Sequence, residues 1–147
     1  MKKGNLLIVD DEEKLLKRLK FNLEDLSDKT FTADNGLEAL EIIKKNEIHC
    51  IVCDINMPKM NGVEVIKSIR AQGNKVPFIF YTAHGNEELM LEAVKYGAFD
   101  FLNKPSIEGL EAVVANALKE GLNGADAKIS LEAHVSNFKK LLDNKKK

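Results

Sequence analysis

Four short apolar runs in this chain each stop abruptly at a polar residue. Leu6-Leu7-Ile8-Val9 stops at Asp10-Asp11, Cys50-Ile51-Val52-Cys53 at Asp54, Phe78-Ile79-Phe80-Tyr81 at Thr82, and Phe99-Asp100-Phe101-Leu102-Asn103 at Lys104-Pro105. Short runs rich in β-branched and aromatic residues read as buried strands. A weaker, more exposed strand is expected from Lys29 to Ala33. Helical patterns of 10–15 residues alternate with these runs, which predicts a parallel sheet covered on both faces. The carboxyl ends of parallel strands share one edge, and such sheets bind ligands just beyond it. Three carboxylates, one hydroxyl and one ammonium then converge at one spot.

The helical stripes are regular. Leu15, Leu16, Leu19, Leu23 and Leu26 mark the first helix, ended by Ser27-Asp28. Asn35 is placed to cap the second, with Glu38 as its capping-box partner and Leu37, Ala39, Leu40 and Ile43 on the buried face. Asn61-Gly62 opens a third helix carrying Val63, Ile66 and Ile69, closed by Gly73-Asn74. Asn86 caps a fourth with Met90, Leu91, Ala93 and Val94, ended by Tyr96-Gly97. After Pro105-Ser106 a fifth helix carries Leu110, Val113, Val114, Ala117 and Leu118. Gly121-Leu122-Asn123-Gly124 reads as a boundary. Beyond it Leu131, Val135, Phe138 and Leu142 share one helical face. That face packs on its own domain in the simpler reading; a dimer or partner contact is the sharper one.

With 147 residues, the chain has room for one domain with one core. A net charge of −1 leaves no overall basic footprint for nucleic acid, and the lysines near the end read as a solvated tail. The four-residue apolar run after Lys2-Lys3 is too short for a secretory signal, which needs roughly 7–15. No stretch approaches the ~20 apolar residues of a membrane span, so a cytoplasmic location is expected. His49 and His134 have no partner that the sequence identifies.

Both cysteines lie in the C-x-x-C pattern at Cys50 and Cys53, which elsewhere signals redox chemistry or zinc. Here the pattern falls within a strand. Residues three apart on a strand point to opposite faces, with Cα atoms about 10 Å apart, beyond disulfide reach. No second cysteine pair completes a zinc site. Two buried small side chains are the expectation.

Taken singly, Asp10-Asp11 would serve as a helix cap, Asp54 as a turn residue and Lys104 as a solvated lysine. Their shared edge argues for a joint role. Clustered carboxylates raise one another's pKa values unless a cation intervenes. An all-oxygen site with few protein ligands suits Mg²⁺. An aspartate carboxylate can act as a nucleophile toward phosphorus, Lys104 can neutralise a phosphoryl oxygen, and Thr82 offers a hydroxyl donor.

The motifs Val9-Asp10-Asp11, Asp54-Ile55-Asn56-Met57-Pro58, Asn61-Gly62, Thr82-Ala83 and Lys104-Pro105, in this order, resemble the receiver domain of bacterial two-component response regulators over about residues 3–122. The resemblance implies an α/β, flavodoxin-like, doubly wound five-stranded parallel sheet of order 2-1-3-4-5 with helices on both faces, plus an extra C-terminal helix. It implies Asp54 as the phosphoacceptor. Asp11 and Asp54 would ligate Mg²⁺ directly, with the Asn56 carbonyl as a third protein ligand and Asp10 acting largely through water. Lys104 would pair with the phosphoryl group, Thr82 would swing toward it, and Phe101 would turn inward behind Thr82. Receivers usually carry Tyr or another aromatic ring there; Phe101 lacks the hydroxyl. The Lys104-Pro105 bond is typically cis in the family. Asn56 and His84 hold the two places that tune phosphoryl hydrolysis, although a solvated loop residue is an equal reading for His84.

The expected domains are therefore a stand-alone receiver at 1–122 and an extension at 123–147, helical with a disordered basic end and too short to supply a DNA-binding module. The expected donor is a histidine kinase or phosphotransfer protein. A downstream protein effector would bind the face made by the fourth helix, fifth strand and fifth helix. A phosphorelay intermediate and a phosphorylation-independent interaction module are the alternatives. A haloacid-dehalogenase-type phosphatase fits less well, because it needs an aspartate two residues after its nucleophile. Asp54 is followed there by Asn56, and Asp10 by Glu12. The chain is not expected to be an enzyme beyond phosphorylation and dephosphorylation of its own Asp54.

Overall fold

The computed structural model describes residues 2–83 and 87–124. Its strands are β1 (Asn5–Val9), β2 (Lys29–Ala33), β3 (Cys50–Cys53), β4 (Phe78–Thr82) and β5 (Asp100–Asn103). All pair in parallel, in the order β2-β1-β3-β4-β5. The helices are α1 (Glu13–Leu23), α2 (Gly36–Lys45), α3 (Gly62–Ala71), α4 (Glu87–Lys95) and α5 (Ile107–Leu122). This is the helix-covered parallel sheet that the alternation implied, in the flavodoxin-like, doubly wound order that the resemblance implied. The additional C-terminal helix, His134 and the cap at Asn86 lie outside the described residues.

Strand parity divides the core in two. Leu6, Ile8, Cys50, Val52, Ile79 and Tyr81 face α1 and α5, whose Leu16, Leu19, Leu23, Leu110, Val114, Ala117 and Leu118 cover them. Leu7, Val9, Ile51, Cys53, Phe78, Phe80 and Phe101 face α2, α3 and α4. Every residue of β3 and β4 is buried, because a parallel sheet sandwiched by helices has no wet face. At the sheet edge, β2 is largely half-exposed, as its weaker pattern suggested. Cys50 and Cys53 fall in opposite cores as free thiols, so the C-x-x-C spacing makes no site.

Several local expectations need correction. Leu37 and Leu91 are each 52% exposed, not part of the buried faces of α2 and α4. Leu37 sits in the first turn of α2, where Gly36 and not Leu37 faces the core. On α2, Ile42 instead packs on the core with Leu40 and Ile43. The first helix ends at Leu23, and a 3₁₀ turn over Glu24–Leu26 completes the descent. β3 coincides with its apolar run at Cys50–Cys53, whereas β5 begins at Asp100, one residue later than its run. Asn35 does cap α2, accepting from the Glu38 N–H at 2.9 Å. Glu38 does not return the bond, and its carboxyl engages Asp34 instead. The full reciprocal box belongs to α3: Asn61 Oδ1 accepts from the Glu64 N–H at 2.9 Å, and Glu64 Oε1 from the Asn61 N–H at 3.1 Å. Gly121, read as part of a boundary, lies inside α5 and abuts the His49 backbone so closely that a Cβ would not fit.

Candidate functional site

The ladder sets the site. β1 and β3 pair through Val9 and Cys53, so Asp10 and Asp54 leave the sheet side by side. The Asp10 N–H donates to the Ala33 carbonyl (3.1 Å) and the Asp54 N–H to the Val9 carbonyl (3.0 Å), which holds both just past the last rung. At the far side, the Lys104 N–H donates to the Thr82 carbonyl at 3.0 Å. The Lys104-Pro105 bond is cis, as the resemblance implied. The Lys104 ammonium spans the edge, 2.8 Å from Asp10 Oδ2 and 3.1 Å from Asp54 Oδ2.

The three aspartates differ in setting. Asp10 and Asp54 are buried, whereas Asp11 is exposed at the rim. Each of the three presents a carboxylate oxygen within 4.8 Å of the others. Burial raises the Asp10 pKa, with the Asp54 charge adding to it; Lys104 and the Glu12 N–H, which donates to Asp10 Oδ1 at 3.0 Å, pull the other way. Burial alone would lower the Lys104 pKa, but the hydrogen bond and charge of Asp10, with Asp54 behind it, outweigh this and raise it. The anionic cluster is thus held together by a single ammonium. An all-oxygen set of three close carboxylates, one of them open to solvent, fits a hard divalent ion that keeps several waters, as Mg²⁺ does.

Thr82 ends β4 with its hydroxyl buried and without a hydrogen-bond partner. An orphaned buried hydroxyl is costly, and here it leaves an unused donor at the end of β4, the strand next to β3 and Asp54. Phe101 pairs across the ladder with Phe80, on the same face as Thr82, and its ring stacks on Phe80 at 5.5 Å. It is buried. Asn56 is exposed two residues beyond Asp54. His84 lies outside the described residues.

Sequence reasoning missed why Gly62 must be glycine. It opens α3 with its Cα against the Asp54 carbonyl, where a Cβ would collide, and against the Phe80 ring. Its N–H donates to the Ile55 carbonyl at 2.9 Å. The backbone of Asp54 is thereby wedged between β1 and the start of α3. Only the pair Asn61-Gly62 hinted at this, and only as a helix start. His49 also has partners: its Nδ1 accepts the Asn5 N–H at 2.8 Å, and its Nε2 lies 3.1 Å from Glu47. It lines a cleft of about 230 Å³ with Glu47, Lys75 and Gly121 at the amino end of the strands, away from the acids.

This doubly wound sheet gathers three carboxylates and a lysine on one edge, and comparison with known proteins says which class of α/β module that is. Residues 6–115 match the family described as the response regulator receiver domain. The chain belongs to that family: it is a receiver domain of two-component signalling, not a conventional enzyme. It is 31% identical over 119 residues to the transcriptional regulatory protein FixJ of Bradyrhizobium diazoefficiens, covering 80% of this chain and 58% of that one. It is 38% identical over 102 residues to the transcriptional regulatory protein SrrA of Staphylococcus aureus, covering 69% of this chain and 42% of that one. It thus spans about half the length of these curated relatives. The receiver domain of Francisella response regulator 1452 superposes with a TM-score of 0.71 at 33% identity, over 79% of this chain and 97% of that one. The cluster of Asp10, Asp11 and Asp54 is the acidic set typical of the receiver Mg²⁺ site. Among the described residues no helix is long and apolar enough to cross a membrane.

Proposed function

We propose that this receiver takes a phosphoryl group onto Asp54 from the phosphohistidine of a histidine kinase or phosphotransfer protein. The observation that carries the reading is Lys104, shared between Asp10 and Asp54 at 2.8 and 3.1 Å beside the exposed Asp11. Mg²⁺ would be held by Asp11, Asp54 and the Asn56 carbonyl, with Asp10 acting through water, and would neutralise phosphoryl oxygens. An Asp54 carboxylate oxygen attacks phosphorus. The phosphorus–nitrogen bond breaks, its electron pair stays on the imidazole, and an aspartyl phosphate results. Lys104 turns from the carboxylates to a phosphoryl oxygen, and the Thr82 hydroxyl donates to another. Phe101 follows Thr82 into the space behind it. Asn56 and His84 set how quickly water removes the phosphoryl group.

The new contacts favour one arrangement of the α4-β5-α5 face, which a downstream protein effector or the next relay member then binds. Moving that equilibrium from 1:99 to 99:1 takes about 5.5 kcal/mol of differential contact. A few charge-assisted hydrogen bonds at roughly 1.5–3 kcal/mol each reach it. The receiver unit is taken as residues 1–122, with 123–147 as an extension, working in the cytoplasm.

The test is incubation with acetyl phosphate and Mg²⁺ followed by intact-mass measurement. Wild type gains one phosphoryl group and Asp54→Asn does not. Equal modification of both moves the acceptor elsewhere.

A further inference from the structure

Arg70, near the end of α3, has no place in the phosphoryl chemistry, yet it is among the most heavily bonded side chains described. Its Nε donates to the Tyr96 carbonyl at 2.7 Å and its Nη2 to the Gly97 carbonyl at 3.2 Å. Its Nη1 donates to the carbonyls of Asn74 (3.0 Å) and Val76 (2.8 Å). The side chain is half-buried, and burial lowers its pKa to about 10, so it remains a cation at neutral pH. Among the described residues no carboxylate pairs with it. Its charge is balanced by carbonyl dipoles alone.

The four acceptors belong to two places. Tyr96 and Gly97 form the turn that closes α4, where Gly97 adopts φ +74° and the helix dipole favours a cation. Asn74 and Val76 lead into β4, which lies between β3 and β5. A planar five-donor fork suits such an array, and a lysine, with three donors on one nitrogen, does not reproduce it. Among the described residues, the other link between charged groups of α3 and α4, Lys67 to Glu92 at 3.8 Å, is solvent-exposed and weak. So α4 is fastened to the rest of the domain at its carboxyl end. Its amino end at Glu87 follows closely on Thr82.

We propose that Arg70 is the fixed end of the switch, a positioning residue that pins the last turn of α4 to the start of β4 and confines phosphoryl-driven movement to the Thr82 end of that helix. This rests on the proposed function, since it assumes that Thr82 responds to a phosphoryl group. The pin makes the helix a lever: displacement at Ala83 swings the amino-terminal half of α4, while the Tyr96–Gly97 turn holds its place.

Hydrogen exchange of the full chain tests this, with Mg²⁺ and beryllofluoride as the phosphoryl mimic. The amides of Tyr96, Gly97 and Ala98 are reporters, because they bond to Ala93, Val94 and Ala93 carbonyls. In wild type, the mimic changes exchange between Ala83 and Met90 and leaves these three amides unchanged. Change at Gly97 as large as that at Glu88 overturns the proposal, and this arm needs no variant. Without the mimic, Arg70→Lys exchanges the three amides at least tenfold faster than wild type, measured relative to β1. Ile69→Val, which loosens the neighbouring core without touching the fork, changes them less than threefold. With the mimic, the response in Arg70→Lys spreads through all of α4. An Arg70→Lys chain that exchanges and responds like wild type overturns the pin while leaving the proposed function standing. A wild type that shows no response anywhere removes the proposed switching, and the role of Arg70 in it, together.

Discussion

Replacing Lys104 by Met isolates the electrostatics of the site. Its ammonium lies 2.8 Å from Asp10 and 3.1 Å from Asp54, with only 13% of its side chain exposed. Without it, carboxylates within 4.8 Å of one another face each other unopposed. At an effective dielectric of 20 that repulsion is about 3.5 kcal/mol. Removing one member of a buried ion cluster typically destabilises by roughly 3–5 kcal/mol. In metal-free buffer at pH 7, Lys104→Met is therefore expected to lose about 3 kcal/mol of unfolding free energy. Urea titration followed by circular dichroism reads this as a lower midpoint at constant slope.

The pH dependence gives a second check. Burial already holds the Asp10 carboxyl above its ordinary value, and Lys104 restrains that rise. Without Lys104 the Asp10 pKa climbs further. A carboxyl with a raised folded-state pKa contributes stability that is complete below its unfolded pKa and lost as pH rises through the folded one. Lys104 itself, with its pKa raised, stays charged throughout this range in wild type. The deficit of the variant should therefore shrink as pH falls from 7 toward 5. Mg²⁺ should also shrink it, since binding to the folded state alone stabilises by mass action and no ammonium competes for the carboxylates. A deficit below about 1 kcal/mol at pH 7, or one that widens on acidification, refutes the argument.

Two further predictions test the scaffold around the acids. Gly62→Ala sets a methyl group against the Asp54 carbonyl and the Phe80 ring, and should lower stability by about 2–3 kcal/mol in a denaturant titration. The same variant should be phosphorylated more slowly by acetyl phosphate; wild-type rates would show that the wedge behind Asp54 does not matter. Burial raises the pKa of both Cys50 and Cys53, so neither thiol should react with a disulfide reagent in the native state at pH 8. Labelling should appear only on unfolding, and rapid native-state labelling of either would contradict their packing in opposite cores.

Much of this protein is legible without coordinates. Runs such as Cys50–Cys53, apolar at every position, signal a strand buried on both faces, and their alternation with amphipathic helices leaves a parallel sheet as the natural solution. Because parallel strands all end at one edge, the residues after each run were bound to meet, so Asp10, Asp54, Thr82 and Lys104 could be grouped from order alone. Failures occur where periodicity gives way to local geometry. Leu37 follows the stripe of α2 yet lies exposed in its capped first turn. Gly121 looks like a linker residue but sits in α5 because the His49 backbone leaves no room for a Cβ.

The chain's pattern of apolar runs and punctuating polar residues determined that the sheet is parallel and covered by helices, and which side chains share an edge, since both depend on periodicity and order. Tertiary structure alone decided how those side chains are used. It made Asp10 the deeply buried acid and Asp11 the open one, joined Lys104 to two carboxylates, left the Thr82 hydroxyl unpaired and gathered carbonyls from two separate places onto Arg70. The Lys104–Asp54 contact joins residues 50 positions apart, and the Arg70–Tyr96 bond residues 26 apart; no local pattern records such partners.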